Sequence, residues 1–351
     1  MNTIRIISRS DIEVHLGMAD AINAVKEAYV LNSEKEITLF ETVFHEFDAG
    51  KADMDIKSGT IDKAGIFGFK LMSWFGGNAG KGLDTLMGTI MLFDRTTGAP
   101  TALLDGASIT GMRTGAAGAI GSASLARKDS RTLLIIGAGN QAPYQLAAHL
   151  LMFDTIRTVH VYDPMSYEAA AAFCGGIKDT LHRRFMPAFE GSQADRAALE
   201  TRYAVEYLPV KNLEDAVGRA DIIVTVTPSR RPMVMRPWLK PGTHLSCMGA
   251  DMPGKQEIDE NIFPAARVFV DDIAKTSKTG EMEIPILKGV FSKDDIVCEI
   301  GKVLQGKNPG RLSDGETTIF DATGLAAQDL ITAKALLRKA ERLGFGTVVA
   351  L

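Results

Sequence analysis

Cysteine is scarce in this 351-residue sequence, and its three cysteines, Cys174, Cys247 and Cys298, lie far apart. An odd number of widely spaced cysteines argues against a disulfide framework and is typical of reduced thiols in a cytosolic protein. The six histidines include no pair at the spacing of metal ligands. We therefore predict a protein without a metal site.

Long apolar runs are also missing, and no segment approaches the length of a membrane span. The N-terminal residues Met-Asn-Thr-Ile-Arg lack the apolar stretch of a secretion signal. A net charge of −4 provides no electrostatic reason to expect a nucleic acid or a membrane surface as partner. These absences predict a cytoplasmic protein with neither kind of partner.

The chain is long for a single hydrophobic core, so we predict two domains. A helical pattern and then a series of strand patterns reach Leu104, which indicates a helix with an antiparallel sheet. A helix of small residues over 108–126 leads into alternating strands and helices, which predict a parallel sheet. Thr317 to Asp321 is predicted as its last strand, at the edge, and the helix over 326–342 is expected to return to the first domain.

The clearest motif lies at 131–164. The apolar run Leu133 to Ile136 predicts a buried strand, Gly137-Ala-Gly139-Asn-Gln-Ala142 a tight turn, and the residues that follow a helix. In the dinucleotide fingerprint the first glycine makes the turn and the second admits a pyrophosphate, while a small third residue packs helix against strand. The helix N-terminus then presents N–H groups to the phosphates.

Asp163 ends the next predicted strand, about twenty residues past the turn, where an acid would bind a ribose 2′-hydroxyl. Its charge would repel a 2′-phosphate, which favours NAD over NADP. The alternative, a glycine turn without a ligand, occurs in many parallel α/β domains. The buried strand, the helix and the acid together favour a dinucleotide site.

Polar residues follow three other predicted strands, at the ends where ligands bind in open parallel sheets. They are Thr225-Val-Thr227, Met248-Gly249-Ala-Asp251-Met-Pro-Gly254-Lys255 and Asp321-Ala-Thr-Gly324. Asp251 is a candidate for chemistry, although an N-cap or surface loop acid is an equally simple interpretation.

Two cations stand in apolar surroundings. Lys70 interrupts a strand between Phe69 and Leu71, and Arg113 lies among glycine and alanine on the connecting helix. A charged side chain among apolar residues is seldom buried without a partner of opposite charge. Either each pairs with an acid of the protein, or both bind a substrate carboxylate, a task to which the arginine fork is suited.

The sequence resembles the ornithine cyclodeaminase and mu-crystallin family from about residue 10 to 345. The motifs that carry this resemblance are Lys70, Thr85 in Leu83-Asp-Thr85-Leu, Gly111-Met-Arg113-Thr114, the turn at Gly137, Gly249-Ala-Asp251-Met-Pro-Gly254-Lys255-Gln-Glu and Phe320-Asp-Ala-Thr-Gly324. The resemblance implies an α/β fold with a Rossmann-type doubly wound parallel sheet and a mixed α+β domain. It also implies a homodimer with an NAD(P)-dependent active site between two domains.

We accordingly assign residues 1–127 to a substrate-binding and dimerisation domain, joined by the C-terminal helix at 325–351, and residues 128–324 to an NAD-binding Rossmann domain. By the family's pattern, Lys70 and Arg113 hold the substrate carboxylate and Asp251 takes a proton from the substrate amine or from water. The predicted cofactor-binding residues are Thr85, Gly137, Gly139, Asn140, Gln141, Asp163, Thr227, Met248, Gly249 and Lys255. The predicted substrate-binding residues are Lys57, Lys70, Arg113, Thr323 and Gly324.

One departure concerns substrate binding. The family usually has an arginine in the second strand region that helps to bind the carboxylate, but none occurs between Thr38 and Phe69. Glu41, His45 and Glu46 lie near that place, and Lys57 would substitute only as a point charge.

The leading hypothesis is an NAD-dependent oxidoreductase or deaminase of the ornithine cyclodeaminase type, with ornithine to proline as the first candidate reaction. Hydride leaves Cα, the side-chain amine attacks the resulting iminium, ammonia leaves, and the hydride returns to the ring. The alternatives are an alanine-dehydrogenase-like enzyme, a ketimine or imino acid reductase, and a non-catalytic NAD(P)-binding protein of the mu-crystallin type. A hydroxy-acid dehydrogenase would need a catalytic histidine after the cofactor strands, and none is suitably placed.

Overall fold

The computed structural model describes residues 3–351, which form two compact units. One unit runs to Arg113 and takes in Leu325–Leu351, and the other is Thr114–Gly324. Both are built from α-helices and β-strands.

The α-helices are α1 (Arg9–His15), α2 (Met18–Ser33), α3 (Gly106–Leu125), α4 (Ala142–Met152), α5 (Tyr167–Phe185), α6 (Gln193–Tyr203), α7 (Leu213–Arg219), α8 (Ile273–Thr279), α9 (Glu283–Leu287), α10 (Ile300–Leu304) and α11 (Ala326–Leu343). In this part of the chain, no helix is both long enough and apolar enough to cross a membrane.

The β-strands are β1 (Thr3–Ile7), β2 (Ile37–Leu39), β3 (Val43–Asp48), β4 (Ala52–Ile61), β5 (Ile66–Phe75), β6 (Leu86–Asp94), β7 (Pro100–Asp105), β8 (Thr132–Ile136), β9 (Thr158–Tyr162), β10 (Glu206–Pro209), β11 (Ile222–Thr225), β12 (Arg230–Val234), β13 (His244–Cys247), β14 (Gln256–Ile258), β15 (Ala266–Val270), β16 (Cys298–Glu299), β17 (Thr317–Asp321) and β18 (Thr347–Ala350).

The first unit is a mixed α+β structure, as predicted. Its sheet has the strand order β18-β1-β7-β6-β5-β4-β2, and β3 pairs with β4. The neighbours from β7 to β2 are antiparallel, as predicted. The prediction of a wholly antiparallel sheet is wrong, because β1, a strand that was not predicted, is parallel to β7. Helix α11 packs against α2 and across β4, β5 and β6, so the C-terminal helix belongs to this unit.

The second unit contains a parallel sheet of order β10-β9-β8-β11-β13-β17-β15-β16. From β8, strands β9 and β10 extend the sheet to one side, and the strands from β11 onward extend it to the other side, so the sheet is doubly wound. The predicted fold class is confirmed. Its core includes Leu134, Ile136, Ile223, Leu245 and Ile319 from four neighbouring strands. Strands that are covered on both faces have continuous apolar runs, such as Leu133 to Ile136 of β8.

The prediction that Thr317–Asp321 lies at the edge of this sheet is wrong. Strand β17 pairs in parallel with β13 on one side and with β15 on the other. Because both of its edges are hydrogen-bonded, Thr318 to Asp321 are buried, and the carboxylate of Asp321 lies in the interior.

The two units divide between Arg113 and Thr114, within α3, whereas the sequence placed the boundary after residue 127. The glycines of α3 explain this division. A Cβ on Gly106 would meet the backbone of β6, while Cβ atoms on Gly115 and Gly121 would meet Tyr144 and Phe320 of the second unit. The helix therefore packs its start and its end against different sheets. The substrate-binding, dimerisation and NAD-binding roles of the units stay predictions.

Candidate functional site

The turn after β8 has the geometry that the fingerprint predicts. Gly137 has φ 108°, and a Cβ there would lie 2.9 Å from the Cγ2 of Thr227, so this position requires glycine. Around Gly139 a Cβ would meet nothing within 4 Å, which leaves the backbone open to a ligand. Helix α4 begins at Ala142, and Gln141, its N-cap, does not cap it with its side chain. The turn thus fits a pyrophosphate at the helix N-terminus.

Asp163 follows β9 and is tied to this turn. Its Oδ2 accepts a hydrogen bond from the Ala138 N–H at 3.0 Å, and its Oδ1 accepts from the N–H groups of Met165 and Ser166 at 2.9 and 3.3 Å. These bonds hold a carboxylate beside the glycine turn, where the sequence predicted the ribose contact.

The loops after β11 and β13 are joined by a residue that the sequence analysis did not single out. Glu257 is fully buried, and its Oε1 accepts from the N–H and the hydroxyl of Thr227 at 2.6 and 2.7 Å. Its Oε2 accepts from the Gly249 N–H at 3.0 Å. Burial raises the pKa of Glu257 to about 6. Thr227 and Gly249, both predicted cofactor residues, are therefore held by one carboxylate.

Asp251 and Lys255 form an ion pair in the loop between β13 and β14. The Lys255 Nζ lies 2.6 Å from Asp251 Oδ1, and the Asp251 side chain is 45% exposed. Asp251 caps no helix, so the N-cap interpretation does not apply. The structure thus pairs the predicted proton acceptor with a predicted cofactor residue.

In the first unit, Lys70 of β5 and Arg113 of α3 contact the same acid. The Lys70 Nζ lies 3.0 Å from Oδ2 of Asp329, and the Arg113 Nε lies 3.0 Å from Oδ1. Lys70, Arg113 and Asp329 are 2%, 6% and 0% exposed, respectively. Each cation does pair with an acid of the protein, but one carboxylate serves two cations.

Neighbouring charges add to this cluster. Lys57 of β4 is the cross-strand partner of Lys70, and its Nζ lies 3.9 Å from the Asp55 Oδ2. Burial, together with the charge of Arg113, lowers the pKa of Lys70 to about 8. Burial acts to raise the pKa of Asp329, but Arg113 and Lys70 hold it below its ordinary value. We call Lys57, Lys70, Arg113, Asp55 and Asp329 the cation cluster.

Two polar neighbours complete the surroundings of Arg113. Its Nη1 donates to Gln328 Oε1 at 3.4 Å, and the Gln328 Nε2 donates to the hydroxyl of Tyr29 at 2.8 Å. Gln328 and Asp329 lie in the first turn of α11, and neither was predicted from the sequence. A signal was present, because an acid on the apolar stripe of an amphipathic helix needs a buried partner.

Two further predicted residues, Thr85 and Gly324, make backbone hydrogen bonds. The Thr85 carbonyl accepts from the Phe75 N–H at 2.8 Å. Gly324, with φ 75°, follows β17 and donates its N–H to Asp271 at 2.8 Å, and Thr323 beside it is buried. Among residues 3–351, no three His, Cys, Asp or Glu side chains are grouped so that they could hold a metal ion.

The fold and the strand-end turns define a Rossmann-type α/β protein. Residues 3–183 and 189–342 match the sequence pattern of the ornithine cyclodeaminase/mu-crystallin family. An alanine dehydrogenase of Archaeoglobus fulgidus is 36% identical over 345 residues, which are 98% of this chain and 97% of that protein. The chain belongs to the ornithine cyclodeaminase/mu-crystallin family, and the predicted resemblance is confirmed.

Two solved structures extend the comparison. An archaeal alanine dehydrogenase dimer with bound NAD has a TM-score of 0.86 and 35% identity, over 99% of each chain. The Δ1-pyrroline-2-carboxylate reductase of Thermococcus litoralis, in complex with NADH and L-proline, has a TM-score of 0.86 and 29% identity, over 98% of this chain and 99% of that one. These relatives are a dehydrogenase and a reductase, and this chain is an oxidoreductase of the same family.

Proposed function

We propose that this protein is an NAD-dependent oxidoreductase that interconverts a small L-amino acid and the corresponding imino acid. The observation that carries the proposal is the buried cation cluster. Alanine, proline and pyrroline-2-carboxylate, the compounds in the names of the relatives, each have a carboxylate next to the carbon that bears nitrogen. A substrate of this class needs a site that neutralises one carboxylate.

The charges of the cation cluster meet that need. Lys57, Lys70 and Arg113 are three cations, and Asp55 and Asp329 are two carboxylates, so one positive charge is in excess. Like charges opposite each other on neighbouring strands are unfavourable, as for Lys57 and Lys70. A substrate carboxylate removes this imbalance. Arg113 uses Nε for Asp329 and Nη1 for Gln328, and a guanidinium has five N–H donors, so others remain for the substrate.

The residues that fit NAD are those of the glycine turn. Gly139 and the first turn of α4 would hold the pyrophosphate, and Asp163 would hold the adenosine ribose. The negative charge of Asp163 disfavours the 2′-phosphate of NADP. When bound, NAD supplies the acceptor or donor of a hydride.

The protein must also handle a proton. Oxidation of an amino acid at Cα removes a hydride from carbon and a proton from nitrogen, and the product is an imino acid. Water then adds to the imine carbon, and ammonia leaves to give a 2-oxo acid. The Asp251 carboxylate is exposed and lies 2.6 Å from the Lys255 Nζ. We propose that it accepts the proton when the amino acid is oxidised and donates it when the imino acid is reduced.

The predicted conversion of ornithine to proline is the second candidate. It shares the oxidation step, but the hydride returns to the cyclic imine, so ammonia forms without net NADH. The names of relatives at 29% identity or more support the dehydrogenase or imine reductase instead.

The test is to measure NADH absorbance and ammonia release with purified protein, NAD and a panel of L-amino acids. Ammonia with matching NADH supports an amino acid dehydrogenase, and ammonia without NADH supports a cyclodeaminase. NADH oxidation with cyclic imino acids, or with 2-oxo acids and ammonia, supports the reductive reaction. NADH binding without turnover in any of these assays would contradict the proposal in favour of the non-catalytic alternative.

We also propose that the protein is a homodimer. Phe40, Val43, Phe44 and Phe47 on and before β3 are each roughly half exposed, and apolar side chains in such a patch are typical of an interface. Light scattering of the purified protein tests the assembly. The cytoplasmic location stays a prediction.

A further inference from the structure

We propose that Glu257 is a positioning residue of the cofactor site. Its carboxylate holds the loop after β11 and the loop after β13 in place by hydrogen bonds to both. This inference rests on the proposed NAD-dependent function. Glu257 lies on the short strand β14, which pairs with β12. Its carboxylate accepts hydrogen bonds from the loop after β11 and from the loop after β13. One side chain therefore spans two separate turns.

The two loops leave neighbouring strands. Strands β11 and β13 pair in parallel, with Thr225 opposite Cys247, so Thr227 and Gly249 follow at the same edge of the sheet. That edge is where open α/β sheets bind their ligands. Glu257 accepts three hydrogen bonds there, two from Thr227 and one from Gly249, and thereby sets the separation of the loops.

The packing around the carboxylate is tight. A Cβ on Gly249 would lie 2.3 Å from the Thr227 carbonyl oxygen and 2.5 Å from Glu257 Oε2, so only glycine fits. On the other side, the Thr227 Cγ2 lies 2.9 Å from the place of a Cβ on Gly137. Glu257 thus supports Thr227, and Thr227 packs against the first glycine of the pyrophosphate turn. A shift of Glu257 would be transmitted to that turn.

The surroundings of Glu257 are acidic. The Glu281 carboxylate accepts hydrogen bonds from the N–H groups of Glu257 and Ile258 at 2.7 and 3.2 Å. Asp321 and Cys247 are the other titratable groups that interact with the buried pair of Glu257 and Glu281. Burial raises the pKa of Glu281 and Asp321 well above their ordinary values. The pKa of Glu257 is raised only to about 6, because donors of Thr225, Thr227 and Gly249 favour its ionised form. At neutral pH, Glu257 carries the charge.

Protonation of Glu257 weakens this arrangement. A carboxylic acid places a hydroxyl group against a donor, so at least one of the three hydrogen bonds is lost. If the protonated form binds the cofactor about tenfold more weakly, as the loss of one hydrogen bond to a charge implies, a pKa of about 6 predicts that NADH binds about fivefold more weakly at pH 5 than at pH 7.5.

The experiment measures the Kd of NADH by fluorescence between pH 5 and 7.5, with wild type, Glu257→Gln and the control Glu260→Gln. Glu260 lies three residues further on, and its carboxylate accepts hydrogen bonds from Lys288 and Gln256. We expect Glu257→Gln to bind NADH about tenfold more weakly at pH 7.5, the size of one lost hydrogen bond to a charge, with no inflection near pH 6. Glu260→Gln should follow wild type.

The outcomes separate this inference from the proposed function. Wild type that fails to bind NADH at pH 7.5 contradicts the proposed function itself. Wild type that binds NADH with a flat pH profile, or a Glu257→Gln variant with the wild-type affinity and profile, overturns the role of Glu257 alone. Should Glu257→Gln not fold, the wild-type profile still decides, because an inflection near pH 6 is required.

Discussion

The substitution Lys70→Met tests whether the cation cluster serves binding or stability. Methionine has nearly the length of lysine but no charge, so it fills the site between its strand neighbours. Asp329 keeps its ion pair with Arg113 at 3.0 Å, and no carboxylate is left without a cation. The excess positive charge of the cluster is removed.

The structure predicts opposite effects on stability and on binding. The pKa of Lys70 is lowered from 10.5 to about 8. This shift means that the charged lysine destabilises the folded state by about 3 kcal/mol at pH 7. Lys70→Met therefore keeps or raises the free energy of unfolding. A buried charge pair with the substrate is worth about 2–5 kcal/mol, so the KM for the amino or imino acid should rise about 100-fold.

The pH dependence has a definite sign. Because the folded-state pKa of Lys70 lies below the unfolded value, the folded protein releases this proton first. Wild type therefore gains stability from this group as the pH rises from about 8 to 10.5, and the variant does not. Urea titrations at pH 7.5 and 10 measure the difference between the two proteins.

The matched control is Lys339→Met. Lys339 is buried, as Lys70 is, and it pairs with Asp20. It lies on α11, ten residues from Asp329, which is about 15 Å along the helix. Its substitution should leave the KM unchanged. If Lys70→Met lowers the free energy of unfolding by about 2 kcal/mol or more and leaves the KM within about twofold of wild type, Lys70 is a structural residue and the reasoning fails.

Three further predictions concern single residues. Asp329→Asn leaves two buried cations without a carboxylate, and urea titration should show a loss of about 3–5 kcal/mol; a loss below about 1 kcal/mol would contradict the shared ion pair. Asp163→Asn removes the charge that repels a 2′-phosphate, so the ratio of kcat/KM for NADPH over NADH should rise about tenfold, and an unchanged ratio would argue against the ribose contact. Asp251→Asn should lower kcat about 100-fold or more with the Kd of NADH within about twofold, and full turnover in this variant would exclude Asp251 as the proton acceptor.

Local pattern was sufficient for the second unit's central motif. The apolar run of β8, the glycine with φ 108° and the start of α4 at Ala142 depend on neighbouring residues alone, and each lies where the sequence predicted it. In the first unit, the sequence predicted the strands between Ile37 and Leu104, but it did not predict β1 or β18, which lie near the two ends of the chain. Helix α3 was predicted as one helix, but its division between two units depends on what Gly115 and Gly121 meet.

The site residues that were missed are those whose role depends on distant partners. Asp329 is 216 residues from Arg113, and no local pattern indicates that Lys70 contacts the same carboxylate. Glu257 was visible in the Gly249 motif, but its three hydrogen bonds arise only when β14 is placed beside the loops after β11 and β13.

The sequence by itself determined the fold class, the family and the place of the dinucleotide turn, because periodicity, glycine conformation and motif order are local properties of the chain. The tertiary structure alone decided that β17 enters the sheet between β13 and β15, that one acid binds two cations, and that a buried glutamate joins two strand-end loops. Burial and the choice of partner depend on residues far apart in sequence, and they set the charges and pKa values that the chemistry uses.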